Sequence, residues 1–169
     1  GDQDFPYPET FDDDHATRPI AGKAVDMKFE QSLAKDYGDA LDAMSERQKK
    51  DWIYQRFVKD HYRSIQSIDE GLGQILDFLD DHNLAEDTLV VYTTDNGFYL
   101  GEYGWYDKRF MYEPSLRIPL LARFPREIEA GQVEESMIMN VDVAPTLLDF
   151  AGIQIPDIMQ GERVKPLIT

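Results

Sequence analysis

The strongest constraint in this sequence is a long stretch of helical periodicity that runs almost directly into a strand-forming run. From Ser45 to Asn83, apolar residues recur at Ile53, Phe57, Ile65, Ile68, Leu72, Ile75, Leu76 and Leu79, mostly at spacings of three, four and seven, which is one face of an amphipathic helix. Ser45 stands where an N-cap belongs, with Gln48 three residues on as a capping box requires. Asn83 stands at the C-cap and His82 in the last turn, where it suits the helix dipole. The spacing predicts one long helix with its stripe turned to a core, and with Gly71 and Gly73 as its weak points. Thr88-Leu89-Val90-Val91-Tyr92-Thr93-Thr94 follows. It is continuously apolar or β-branched rather than alternating, the pattern of a strand buried on both faces and paired in parallel. A helix followed by such a strand is the unit of an α/β layered domain. A second strand is predicted over Pro119–Phe124, closed by Pro125, and a short helix from Asp142 to Phe150, stopped by Gly152.

The 169 residues carry 33 acidic and 17 basic side chains, a net charge of −16, and no cysteine. The absence of cysteine excludes a disulfide framework, a thiolate metal site and a cysteine nucleophile within these residues. Aromatic residues at 12% are too many for a disordered acidic chain. No apolar run approaches the roughly 20 residues of a membrane helix, and no signal peptide is visible. The charge argues against nucleic acid and against an anionic membrane as partners. It is also uneven: residues 1–46 hold 12 acidic and 4 basic side chains, whereas residues 104–126 hold 2 acidic and 5 basic ones. Pro6, Pro8, the Asp12-Asp13-Asp14 run and Pro19 predict an extended, solvated opening segment. The division expected is an acidic irregular region over 1–44, a helix-strand-loop-strand-helix core over 45–152, and a loop over 153–169.

The predicted strand ends in Asp95-Asn96-Gly97. Ligands of open α/β sheets bind beyond the carboxyl ends of strands, and a carboxylate beside an amide oxygen makes a hard donor pair suited to Ca²⁺ or Mg²⁺. Asn-Gly is equally a two-residue hairpin signal. The next residues, Phe98 to Gly104, hold two glycines and no clean alternation, which favours an active-site loop instead. That loop carries Lys108 and Arg109, cationic donors for a tetrahedral oxyanion; the plain alternative is a pair of solvated surface cations. The rings of Phe98, Tyr99, Tyr103, Trp105, Tyr106, Phe110 and Tyr112 suit either a sugar or aryl pocket or ordinary packing.

The run from Tyr92 to Glu113, with Trp52–Asp60, Ser67-Ile68-Asp69, Arg117–Arg123 and Asp142–Asp149, resembles the second metal and substrate loop, and the flanking chain, of the type I sulfatases. These belong to the alkaline-phosphatase-like superfamily, and the likeness is to the bacterial branch related to iduronate-2-sulfatases and arylsulfatases. The resemblance implies an α/β/α sandwich with a central, largely parallel or mixed sheet. It implies that Asp95 and Asn96 are two oxygen ligands of an active-site Ca²⁺, with Mg²⁺ the alternative, and that Lys108 contacts the sulfate ester. Tyr103 and Arg109 join Lys108 as expected substrate-binding residues. Tyr103 stands in Gly101-Glu102-Tyr103-Gly104, where the family usually has Gly-Glu-His-Gly; a phenol donates a hydrogen bond but is no imidazole acid.

The family's Cys-x-Pro-x-Arg or Ser-x-Pro-x-Arg motif, the source of its formylglycine nucleophile, does not occur among these residues. The chain is therefore expected to be the middle to C-terminal part of a sulfatase catalytic domain, with formylglycine in a preceding part, and to be inactive by itself. The resemblance implies hydrolysis of a sulfate ester on a small molecule or glycan, and a periplasmic or extracellular location. Two rivals are a non-catalytic binding or structural fragment, and a phosphoryl-transfer member of the same superfamily.

Overall fold

The computed structural model describes residues 4–19, 27–28 and 33–169. In chain order the elements are α1 (Ala34–Tyr37), α2 (Glu46–Asp81), β1 (Val90–Thr93), β2 (Tyr99–Leu100), β3 (Tyr106–Asp107), α3 (Glu113–Leu116), β4 (Leu120–Arg123), α4 (Val143–Phe150) and α5 (Lys165–Ile168). The last of these lies in the segment expected to be loop. Two units divide the chain, one of Gly1–Gly71 with Asn96–Ile118 and one of Leu72–Asp95 with Pro119–Thr169. Among the described residues no helix is long and apolar enough to cross a membrane.

Helix α2 is closed at both ends as its sequence predicts. The Ser45 N–H donates to Gln48 Oε1 at 3.0 Å and the Gln48 N–H reaches back to Ser45 Oγ at 3.4 Å. At the other end Asn83 adopts φ 56°, the Leu84 N–H donates to the Leu79 carbonyl at 2.8 Å, and the Asn83 N–H to that of Asp80 at 3.1 Å, a Schellman closure. The helix does not break at Gly71 or Gly73; each glycine there costs about 1 kcal/mol relative to alanine, too little to interrupt so long a segment. The stripe is core-facing only in part. Ile53 is fully buried and Leu79 nearly so, but Ile65, Ile68 and Ile75 are 42, 50 and 55% exposed.

In the first unit the opening segment is irregular and largely exposed, as expected, but it is anchored through two buried side chains, Phe11 and His15. Phe11 is buried with Leu41, Ile53, Tyr54 and Val58. The reason is that α2 supplies both an apolar face and donors for the segment's carbonyls. Tyr54 Oη donates to the Pro6 carbonyl at 2.7 Å, Gln55 exchanges hydrogen bonds with both backbone groups of Phe5, and Lys50 Nζ donates to the Phe11 carbonyl at 2.8 Å. Asp12 accepts from Arg47 and Lys50, and these partners, Arg47 first, hold its carboxyl below the usual carboxylate range. A second cluster buries Met27, Tyr99 and Trp105 completely.

In the second unit β1 pairs with β4, from Val90 opposite Arg123 to Thr93 opposite Leu120. The pairing is antiparallel, not parallel, and β1 is half-buried along its length rather than enclosed on both faces. A continuous apolar run cannot by itself set strand direction; here the chain returns along β1 through β4. A cavity of about 30 Å³ lies between sheet residues such as Val91 and Ala122 and helical residues such as Leu147 and Phe150. Helix α4 ends as predicted at Gly152, with φ 67°. Asp142, buried, does more than start that helix: its carboxylate accepts the N–H groups of Met139 and Glu162, both at 2.8 Å.

Burial pushes the Tyr54 phenol up to about 12 from its ordinary 10.0. The folded state thus holds this proton more tightly than the unfolded chain, so its stabilisation is complete below pH 10 and is lost as pH rises toward 12. Tyr54→Phe is expected to flatten the fall in stability between pH 10 and 12, read from denaturant unfolding of the intact protein; an unchanged slope there contradicts this assignment.

Candidate functional site

The sequence candidates lie where β1 ends and where the following hairpin opens and closes. Asp95, exposed, follows β1, and its backbone carbonyl accepts Asn140 Nδ2 at 2.7 Å. Among the described residues its carboxylate takes a single long hydrogen bond, from Thr94 Oγ1 at 3.3 Å. Asn96 donates from Nδ2 to the Gly97 carbonyl at 2.6 Å, which leaves its side-chain oxygen as an acceptor.

Asn96-Gly97 is not a hairpin turn: β1 pairs with β4, and the hairpin that does form, β2–β3, turns later, over residues 101–105. Gly97 is required by close approach of other backbone. A Cβ there would stand 2.2 Å from the Pro114 carbonyl oxygen and 2.8 Å from that of Arg117, and the Gly97 N–H donates to the Ser115 carbonyl at 2.9 Å. Ser115 itself is buried, its Oγ directed to the carbonyls of Phe110 and Tyr112, while Tyr99 Oη donates to Phe110 at 3.0 Å. Segment 110–117 thereby grips the start of the hairpin.

The hairpin register sets Tyr99 opposite Asp107 and Leu100 opposite Tyr106. Chain entering at Asn96-Gly97 and chain leaving at Lys108 therefore lie at the same open end. Asp107, at φ 78°, turns the backbone sharply just before Lys108. Lys108 is exposed and forms no ion pair among the described residues, whereas Arg109 Nε is held at 2.9 Å by Asp107.

Tyr103 goes to the opposite, closed end. There the opening segment clamps the turn. Gly101 and Gly104 adopt φ 107° and 66°, and added Cβ atoms would strike the Tyr54 ring and the Phe11 carbonyl at 2.7 and 2.9 Å. Tyr103, at φ 59°, is bracketed: its N–H donates to Thr10 Oγ1 at 3.0 Å and its carbonyl lies 2.7 Å from His15 Nε2. The Arg18 guanidinium sits 4.4 Å from the centre of its ring, within range of a cation–π contact. Arg18 is also fixed by Asp13 at 2.7 Å, which with the His15 N–H holds the Asp13 carboxyl below its ordinary range. The structure thus brings Asn96, Lys108 and Arg109 to one end and commits the Tyr103 ring to packing with Trp105 and Tyr112 at the other.

Among the described residues no three His, Cys, Asp or Glu side chains gather as a metal site. Asp95 and Asn96 fit a hard cation as two oxygen donors of the six to eight that Ca²⁺ takes. Sequence reasoning missed Thr10, His15, Arg18, Ser115 and Asn140. Thr10, His15 and Arg18 sit in a segment whose Pro and Asp content hid its packing, and Asn140 carried no signal.

The family model described as N-sulphoglucosamine sulphohydrolase, C-terminal, matches residues 101–169. An N-acetylglucosamine-6-O-sulfatase of Bacteroides thetaiotaomicron is 34% identical over 97% of this chain and 37% of its own. The chain belongs to the sulfatase family. Sulfatases are sulfuric ester hydrolases, and the chain spans well under half the length of this relative. A solved structure described as a complex with its substrate, D-glucosamine-2-N,6-O-disulfate, superposes on 97% of this sulfatase chain with a TM-score of 0.87 and 32% identity, covering 42% of that structure. The expected α/β class is thus shown. A phosphonate monoester hydrolase of Silicibacter pomeroyi is 30% identical but covers 60% of this chain and 20% of its own, with a TM-score of 0.58.

Gly97→Ala is expected to destabilise the intact protein by about 1–3 kcal/mol through overpacking against the Pro114 and Arg117 carbonyls. Gly71→Ala, in open space on α2, should stabilise it by about 0.4–1 kcal/mol. Equal stabilities of the two variants in urea would contradict the grip on Gly97.

Proposed function

We propose that this chain contributes a cation-binding and sulfate-binding portion of the active site of a sulfatase that acts on sulfated amino sugars of the glucosamine type. The observation that carries the reading is the match, over 97% of the chain at a TM-score of 0.87, to a structure described as bound to a glucosamine disulfate. In this reading Asp95 and Asn96 hold Ca²⁺ through their side-chain oxygens; Ca²⁺, when bound, supplies Lewis-acid polarisation of the sulfate group. Lys108, leaving the hairpin beside Asn96-Gly97, places its ammonium against a sulfate or leaving-group oxygen. The negative charge that grows there in the transition state strengthens that contact, and this is how it lowers the barrier. Arg109 enters the same end but is tied to Asp107, so its share is to hold the turn and add positive potential.

The net charge of −16 does not oppose an anionic substrate. Screening confines electrostatic influence to about 8–10 Å, and within the acidic opening segment Asp13 is paired with Arg18 and Asp12 with Arg47 and Lys50. The nucleophile is not among these 169 residues, so the chain alone is expected to release no sulfate. A periplasmic or extracellular location accompanies the reading.

A second reading, phosphonate or phosphate ester hydrolysis, draws on the partial likeness to the phosphonate monoester hydrolase. It is the weaker one, since that likeness covers 60% of the chain. The test is hydrolysis of D-glucosamine 6-sulfate and of a phosphonate monoester by the intact protein, with and without chelator. Asp95→Ala should cut sulfate release about 100-fold or more and weaken Ca²⁺ binding in calorimetry. Faster turnover of the phosphonate, or Ca²⁺ affinity unchanged in Asp95→Ala, would overturn the sulfatase reading or the metal assignment respectively.

A further inference from the structure

We propose that His15, with Thr10, is a positioning residue for Lys108 and acts on it through the backbone of Tyr103. The inference rests on the reading of Lys108 as the sulfate-contacting cation. Four residues of the short stretch 101–107 lie in the left-handed region: Gly101 at φ 107°, Tyr103 at 59°, Gly104 at 66° and Asp107 at 78°. For Tyr103 and Asp107, which carry side chains, such a backbone is strained and persists only where the surroundings over-determine it.

For Tyr103 those surroundings come from the opening segment. Its N–H and its carbonyl are both taken, by Thr10 Oγ1 at 3.0 Å and His15 Nε2 at 2.7 Å. A carbonyl accepts and cannot donate, so Nε2 of the His15 ring is the donor in this contact. His15 is itself fixed. It is buried, its backbone N–H donates to Asp13 Oδ1 at 2.6 Å, and its ring stacks on Trp105 with centroids 5.0 Å apart and an interplanar angle of 18°.

Transmission from this end to Lys108 runs along a short stretch of chain held by backbone pairing. Trp105 returns to Gly101 through a 2.9 Å backbone hydrogen bond, Tyr106 pairs with Leu100, Asp107 pairs with Tyr99, and Lys108 is next. Tyr106 is also held from outside by its N–H to the Met27 carbonyl at 2.9 Å. A hairpin with two residues in each strand has little pairing of its own, and two-stranded ribbons are marginal in water. Its register therefore depends on what holds it from outside, and at the turn that is the bracket on Tyr103. Loss of the His15 donor frees the Tyr103 carbonyl to rotate and lets Asp107, and with it the base of Lys108, drift; a displacement of about 1 Å at a catalytic group can cost on the order of 100-fold in rate.

The test uses the intact protein. His15→Phe keeps the ring against Trp105 and loses the N–H; His15→Gln keeps a donor near the Nε2 position; Thr10→Val removes the second bond at a less buried point. Each is measured for kcat and KM with D-glucosamine 6-sulfate, and, independently of activity, for the ¹³C signal of dimethylated Lys108. The expected result is a folded His15→Phe protein with kcat/KM down about 10- to 100-fold and a shifted Lys108 signal, with His15→Gln restoring both to near the parent values. Should His15→Phe fail to fold, Thr10→Val should still shift the signal and lower kcat/KM. A parent-like Lys108 signal and parent-like kinetics in every variant that folds would overturn the proposal. Lys108→Ala separates the two ideas: if it leaves hydrolysis intact, the reading of Lys108 fails, whereas the ¹³C signal still decides whether His15 positions it.

Discussion

The backbone pairing of Tyr99 with Asp107 is the contact on which the site depends. It folds the loop after β1 back on itself, so that residues far apart in sequence, Asn96 and Lys108, emerge from the same end of one hairpin. Nothing intrinsic to so short a ribbon makes this stable. The pairing survives because both ends are gripped, the open end by the 110–117 segment around Gly97 and the closed end by Thr10 and His15 around Tyr103. Between the grips Tyr99 and Trp105 are completely buried with Met27, and burial of large rings of this kind contributes on the order of 1.5–3 kcal/mol each.

The opening segment therefore has a role that its composition conceals. Proline and aspartate exclude regular structure, and in that respect residues 4–19 are as irregular as they read. What the pattern does not convey is partner geometry. Phe5, Pro6 and Phe11 reach α2 because Tyr54, Gln55 and Lys50 happen to project donors at the right carbonyls. Pairwise matches of that kind have no periodicity, so no scan along one strand of sequence detects them. The ends of α2 and of α4 were legible, by contrast, because caps are local: Ser45 with Gln48, Asn83 and Gly152 each act within a few residues. Strand direction was not legible, since a run such as Leu89–Thr93 is compatible with either neighbour. Nor was the exposure of Ile65, Ile68 and Ile75, because periodicity marks an apolar face without saying what covers it.

The candidate site residues were picked from the sequence by chemistry, and the structure adds where each one lies. Asp95, Asn96 and Lys108 stand out by chemistry, and the hairpin explains how a spacing along the chain becomes proximity for Asn96 and Lys108. Tyr103 was singled out for the same reasons of type and position, yet its ring packs under Arg18. The sulfatase assignment rests on similarity along nearly the whole chain, and the hairpin adds how the local fold places Lys108 and Arg109, both exposed, at its open end.

The most direct measurement is protection of Lys108 from acylation in the intact protein. With Ca²⁺ present, saturating D-glucosamine 6-sulfate should slow acylation of Lys108, followed by peptide mass spectrometry, while Lys49 and Lys165 react at unchanged rates. Equal acylation of Lys108 with and without the sugar would contradict the account.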